Sequence, residues 1–206
     1  LDLEELVKPG LLVIWRLSKG ELSYENMSLI GSGVVQALWF HAISKQPGER
    51  TPLLIILDEF QNFGSSEMVE IMLTEGRKYG VSMSLAHQSI KQIPPELLAV
   101  ILGNVGTKIF FRVSGEEANI LAKHISPGKE TMSVANVLAN QADGVAIVKI
   151  RPGFGQTPVP PFQVALNPPP LKVFREIDSV IERMKQRFEA EAPRVVEEEG
   201  EKMIDP

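Results

Sequence analysis

The sequence predicts an α/β fold, a mostly parallel sheet joined by crossover helices, and three observations lead to it. Short apolar runs recur at Leu11–Leu17, Leu53–Leu57, Val81–Ala86 and Thr107–Val113. The stretches between them carry helical spacing with start and stop signals. At 206 residues, 44% of them apolar, the chain has enough material for a real core.

Each element has its own reason. LLVIWRL (Leu11–Leu17) lies between Pro9-Gly10 and Lys19-Gly20 and is expected as a buried strand. Glu21–Lys45 is long enough only for a helix, despite Gly31 and Gly33, and Gln46-Pro47-Gly48 ends it. Leu53–Leu57 is the second strand. Ser66 is placed to cap a helix over Glu67–Lys78, which Gly80 stops. Val81–Ala86 is the third strand, and Pro94-Pro95 opens a helix reaching about Leu102. Thr107–Val113 (TKIFFRV) is the fourth strand. Ser114 and Glu117 then form a capping box for a helix over Glu116–His124. A short helix near Val134–Ala139 and a strand over Gly144–Ile150 complete the alternation. RPGFGQTPVPPFQVALNPPP, from Arg151, is a Pro- and Gly-rich connector with one edge strand near Phe162–Leu166. Leu171–Ala190 has helical spacing, and residues 191–206, with Glu197-Glu198-Glu199, have the composition of a solvated acidic tail. The expected division is residues 1–166 as the main domain and 167–206 as a terminal helix and tail.

Composition excludes several classes. With no cysteine, neither a disulfide framework nor a thiolate metal site is available, and three scattered histidines (His41, His87, His124) do not make a zinc site. A net charge of −5 argues against a broad basic surface for nucleic acid, though not against a few cations lining a channel. No apolar stretch is expected to span a membrane and no signal peptide opens the chain, so a cytoplasmic location is expected. LDLEELVKPG starts without a methionine and passes from a helical pattern directly towards a strand. The sequence is therefore expected to be part of something longer, with methionine removal or processing as the alternative.

The chemistry concentrates in LLIILDEFQNF, where five apolar residues run into the adjacent carboxylates Asp58 and Glu59. Burying both would combine a desolvation cost with mutual repulsion. In open α/β sheets ligands sit outside the carboxyl ends of the strands. Asp58 and Glu59 follow the second strand, His87 and Gln88 follow the third, and consecutive strands are commonly neighbours. Both pairs are thus expected at one crevice. Acid, acid and amide at one edge suit nucleotide hydrolysis. The first acid can hold a hydrated Mg²⁺, the second can orient or deprotonate a water, and the amide can sense the γ-phosphate. The plainer alternative is a helix-capping Asp beside a solvated Glu. The phosphate-binding loop GxxxxGK[ST] does not occur. Ser126-Pro127-Gly128-Lys129-Glu130-Thr131 lacks its first glycine, carries a glutamate after the lysine and follows a helix, which makes it a turn. These residues alone are not expected to bind ATP tightly.

The order LLIILDEFQNF, EGRKYGVSMSLAHQSIKQIP, ILGNVGTKIFFRVSGEEANILA resembles the second half of HerA/FtsK-type motor ATPases. It is most similar to the TraG/TraD-like coupling ATPases of conjugation and type IV secretion, over about residues 11–166. The resemblance implies a RecA-like P-loop NTPase core that here lacks the Walker A segment, which in relatives lies upstream. It further implies ATP and Mg²⁺ as cofactors, a homo-oligomeric ring (usually a hexamer), and movement of DNA through it, with secretion or DNA-processing proteins as further partners. By the same resemblance Asp58 is the magnesium-associated acid, Glu59 the catalytic glutamate, Gln88 the polar sensor, and Arg77 an arginine reaching a neighbouring subunit's nucleotide.

Several of these residues also have structural readings. Arg77 lies in the last turn of its expected helix, where a cation interacts favourably with the helix dipole. Arg112 ends the fourth strand and either faces the nucleotide edge or pairs with Glu116 or Glu117. His87 is expected as a wall residue. Trp15, Trp39, Met68 and Met72 have core spacing. Lys91, Lys108 and Lys123 are weak candidates for substrate contacts, since lysines are commonly just solvated. A second function remains open: a catalytically silent RecA-like module that recruits substrate or partner proteins. A DExH-type helicase lobe fits less well, because DEFQ lacks the usual continuation of the acid box.

Overall fold

A computed structural model of the chain describes residues 3–17, 22–63, 66–153 and 155–167, with positions 179, 182, 183 and 186. It has two units, Leu1–Leu166 and Asn167–Pro206. Positions 179, 182, 183 and 186 of the second unit are helical and exposed. The remainder of the expected helix over Leu171–Ala190, and the acidic tail, lie outside the described residues.

The first unit is a mixed α/β body. After a short α1 (Leu3–Leu6), α2 runs over Tyr24–Ser44, its N-terminus capped by the Ser23 hydroxyl, which accepts from the Asn26 N–H at 3.2 Å. Its buried face is Met27, Gly31, Val35, Trp39 and Ala42, a spacing of three or four residues that makes one stripe. Val35, Trp39 and Ala42 pack with Ile55, Met72 and Val81. Gly31 is there for clearance: a Cβ would lie 2.4 Å from a ring carbon of Phe63. Contrary to the sequence-based expectation, α2 is long and apolar enough to cross a membrane, with 21 residues and a mean hydropathy of 1.2. Its buried stripe packs on the parallel strand pair, while 28% of its most apolar window is buried.

β1 (Leu53–Leu57) and β2 (Val81–Leu85) pair in parallel, from Leu53 opposite Val81 to Leu57 opposite Leu85. One crossover joins them. It consists of a 3₁₀ turn (Phe60–Asn62), α3 (Ser66–Glu75) and a second 3₁₀ turn (Gly76–Tyr79), closed by Gly80 in the left-handed conformation. On one face Leu53, Ile55 and Leu57 join the α2 and α3 core; on the other Leu54 and Ile56 are exposed, at 60% and 66%. Trp39 and Met72 are buried and Met68 packs beside them, as expected.

Beyond β2 come α4 (Pro95–Asn104), β3 (Thr107–Phe110), α5 (Gly115–Ile125), α6 (Thr131–Asn140), β4 (Val145–Ile150) and β5 (Phe162–Ala165). Here the expectation of a mostly parallel sheet fails. β3, β4 and β5 form an antiparallel meander, and among the described residues none of them pairs with β1 or β2. For β3 and β4 the connection accounts for the antiparallel pairing, while α4 does not bring β3 beside β2. A single crossover helix returns the chain to the starting end of its strand, giving a parallel neighbour. The α5–α6 hairpin returns it to the finishing end, so β4 comes back antiparallel.

A second correction concerns Leu11–Leu17, which is not a strand. Without a ladder partner its side chains stay out, with Leu12 78%, Ile14 76% and Trp15 39% exposed, so Trp15 is no core residue. Ser126–Thr131 is the turn expected of it: the Thr131 hydroxyl donates to the carbonyls of Ser126 and Gly128 at 2.9 Å each.

Candidate functional site

The parallel register of β1 and β2 places the residues after Leu57 and after Leu85 at one edge. Two backbone bonds tie the strand ends together: Ala86 N–H to the Leu57 carbonyl at 2.9 Å, and Phe60 N–H to the Ala86 carbonyl at 3.1 Å. Asp58, Glu59, His87 and Gln88 are therefore gathered at the carboxyl edge of the pair. Asp58 and Gln88 are exposed, and Glu59 is half-buried. The feared cost of two buried acids is thus avoided by turning the first outward.

The turn that does this is strained. Glu59 has φ 52° and ψ 49°, and it is the one non-glycine residue with positive φ among the described residues. That conformation costs a side-chain-bearing residue about 1–2 kcal/mol. Burial of the next residue offsets it: Phe60 is 1% exposed, among Val69, Ile93 and Leu97. A buried phenylalanine contributes about 1.5–3 kcal/mol. The Glu59 Oε2 atom accepts from the Gln61 amide at 2.7 Å, and the same amide nitrogen donates to Gln92 Oε1 at 2.9 Å.

His87 stands edge-on to Phe60, ring centroids 5.6 Å apart, which agrees with its expected place in the wall. Burial pushes its pKa below the usual histidine value, opposed by a Ser89 backbone bond and the charges of Glu59 and Glu117. Its Nδ1 and the Oε1 of Gln61 are buried without a protein hydrogen-bond partner. Among the described residues no group of three or more acidic, His or Cys side chains forms a metal cage. One exposed carboxylate nevertheless suits Mg²⁺, which keeps several waters and is bound through one or two carboxylates plus substrate phosphates.

Arg77 lies in the 3₁₀ turn that precedes β2, at the opposite end of the strand from Gln88, and is exposed. It sits beyond the α-helix, in a turn closed by Gly80, whose N–H bonds the Arg77 carbonyl. Arg112 pairs with Asp143 at 2.6 Å, on the antiparallel side of the molecule. Its two expected structural partners are engaged elsewhere. Glu116 holds Lys91 at 2.5 Å, and Glu117 accepts from Ser89, Ile90 and Ser114. Lys108 is half-buried and donates to the Val105 carbonyl at 2.6 Å. Burial first, then Arg151 and Lys149, lowers its pKa. Lys149 reaches the carbonyls of His124 and Ile125, and Arg151 that of Gly103, so these three cations cap the ends of α4 and α5. Lys123 is exposed on α5.

Sequence reasoning missed Gln61 and Gln92, which hold Glu59, and the second role of Glu117. The signal for Gln61 was present in the DEFQ run, two residues from the glutamate. A cleft of about 200 Å³ lined by His41, Lys45, Arg50, Thr51 and Tyr79 opens at the start of β1, away from Asp58.

Fold and edge together define an α/β protein with a paired-acid carboxyl edge. Residues 52–143 match the family model described as the TraM recognition site of TraD and TraG. Over that stretch the chain is similar to TraG and TraD, as the motif order implied. The structure of VirB4 of Thermoanaerobacter pseudethanolicus aligns with a TM-score of 0.49 at 13% identity, covering 71% of this chain and 39% of that one. This chain thus spans less than half the length of that protein. No curated protein matches it.

Proposed function

We propose that residues 1–166 are the second half of a RecA-like ATPase domain, in a protein that couples ATP hydrolysis to DNA transfer in conjugation or type IV secretion. The observation that carries the reading is the gathering of Asp58, Glu59 and Gln88 at one edge of a parallel strand pair. In this reading Asp58 is the metal-associated acid. Bound there, Mg²⁺ would neutralise phosphate charge. Glu59, held by Gln61 at 2.7 Å, orients a water and takes its proton. Gln88, exposed at the same edge, meets the γ-phosphate. Arg77 faces the other way and serves the next subunit of a ring. Arg112, paired with Asp143, contributes to nucleotide binding only if that ion pair opens. In this reading the domain works in the cytoplasm, at the inner face of the membrane.

The test is Glu59→Gln in a longer protein that includes a phosphate-binding loop. ATP binding is retained and turnover falls about 10²–10⁴-fold, the usual share of general-base catalysis. Normal turnover would remove Glu59 from the mechanism.

A second reading is favoured by the family description itself, which names a recognition site for TraM in TraD and TraG. In that reading the same fold docks a partner protein. Binding of such a partner to the 206-residue chain, unaffected by Glu59→Gln, would support it.

A further inference from the structure

We infer that Glu117 is the positioning residue of Gln88, a clamp that fastens the loop after β2 to α5. The inference rests on reading Gln88 as the polar group of the nucleotide edge. The two carboxylate oxygens of Glu117 are divided between two tasks. Oε2 accepts from the Ser114 hydroxyl at 2.8 Å and faces the Ser114 N–H at 3.4 Å, which completes the capping box of α5. That task needs one oxygen. Oε1 accepts from the Ser89 hydroxyl at 2.7 Å and the Ile90 N–H at 2.9 Å, the two residues directly after Gln88.

Two further contacts join the same short segment to α5. Ile90 is buried among Ala118, Leu121 and Ala122 of α5 and Leu138 of α6. Lys91 pairs with Glu116, the neighbour of Glu117, at 2.5 Å. On the other side of Gln88, Ala86 is bonded to the end of β1 at 2.9 Å. Gln88 therefore spans a joint between the parallel pair and the layer of α5 and α6. A carboxylate that serves only as a surface cap has no need of burial, which is costly without donors. Glu117 is 6% exposed and meets four of them. Displacement of Gln88 is consequently passed to α5, and displacement of α5 is passed to Gln88.

Amide-resolved NMR of the 206-residue chain tests the clamp on Glu117→Gln, Ser89→Ala and Ser114→Ala. Glu117→Gln is expected to raise hydrogen exchange at Ile90 about 10–100-fold, because it removes bonds to a charged acceptor. The backbone order parameter at Gln88 is expected to fall below about 0.6, the flexible range. Ser89→Ala should loosen Gln88 in the same sense. Ser114→Ala, which removes the cap and leaves the Oε1 bonds, should leave Gln88 unchanged. Equal loosening by Ser114→Ala and Ser89→Ala would reduce Glu117 to a helix cap. An unchanged Gln88 in Glu117→Gln would overturn the clamp outright. If Glu117→Gln does not fold, the two serine variants decide between these outcomes. The reading of Gln88 fails separately, through normal ATP turnover by Gln88→Ala in the longer protein, while the clamp would stand.

Discussion

Arg77 and Glu59 belong to opposite ends of the same strand pair, and that separation makes the ring reading testable. Arg77 precedes β2 and Gln88 follows it. The five residues of β2 span about 16 Å at roughly 3.3 Å each. An arginine side chain is much shorter than that, so Arg77 cannot reach the Asp58–Glu59 edge of its own subunit. In a head-to-tail ring it faces the neighbour's edge. An arginine finger is worth about 10³–10⁵ in rate, so rings of Arg77→Ala should be nearly inactive, as should rings of Glu59→Gln. Mixing the two variants one to one makes about a quarter of the interfaces complete, with intact Glu59 from one subunit and intact Arg77 from the next. The assay is steady-state ATP hydrolysis by the mixed, longer protein, with subunit exchange followed by a fluorescence-transfer pair. Recovery of about a quarter of wild-type turnover is expected by that count. If subunits exchange and no activity returns, Arg77 does not act in trans.

Three further outcomes follow from burial and charge. Phe60→Ala should cost about 3–5 kcal/mol, lowering the midpoint of thermal unfolding by about 6–20 °C; a loss comparable to that of the exposed Phe111→Ala would refute the account of the turn at Glu59. Burial pushes the Glu117 carboxyl up, but bonds from Ser89, Ser114 and Ile90 outweigh it and hold its pKa below 4.5. Its stabilisation is therefore present above that value and lost as pH falls through the folded-state pKa, so denaturant titrations should show Glu117→Gln destabilised at pH 7 and converging with wild type in acid. Burial lowers the His87 pKa beneath 6.5, so stability should decline as pH drops below 6.5; an NMR titration of the ring with its midpoint above 6.5 would contradict this.

Much of the fold was legible because its signals are local. The capping box at Ser114 and Glu117 required only two residues at fixed spacing, and both reciprocal bonds are present. The parallel β1–β2 pair followed from one helix between two apolar runs. The antiparallel half was not legible from alternation alone, because a second helix reverses the returning strand and the pattern of apolar runs does not register that count. Leu11–Leu17 shows the other limit: an apolar run specifies a strand only where a partner edge accepts it. At the candidate site, Asp58, Glu59, His87 and Gln88 could be placed because strand ends fix them. The hold of Gln61 on Glu59, and the division of Glu117 between Ser89 and Ser114, depend on turns whose closure no periodicity encodes.

The doublet at the end of β1 is where local preference and structure disagree most. A left-handed residue closing a strand is least costly as glycine, and asparagine is the next best tolerated. Glutamate stands there instead, its backbone cost offset by Phe60 and its carboxylate engaged by Gln61. A helix-capping role does not account for this, since Glu59 makes no side-chain bond to the backbone of the turn it opens. Nor does solvation, because the residue is half-buried and Asp58 beside it already takes the exposed position. Strained residues held in place by their surroundings cluster at sites where the side chain itself is needed. The strain therefore distinguishes the two acids: Glu59 carries the left-handed backbone, offset by the burial of Phe60 and held by Gln61, while Asp58 beside it is exposed.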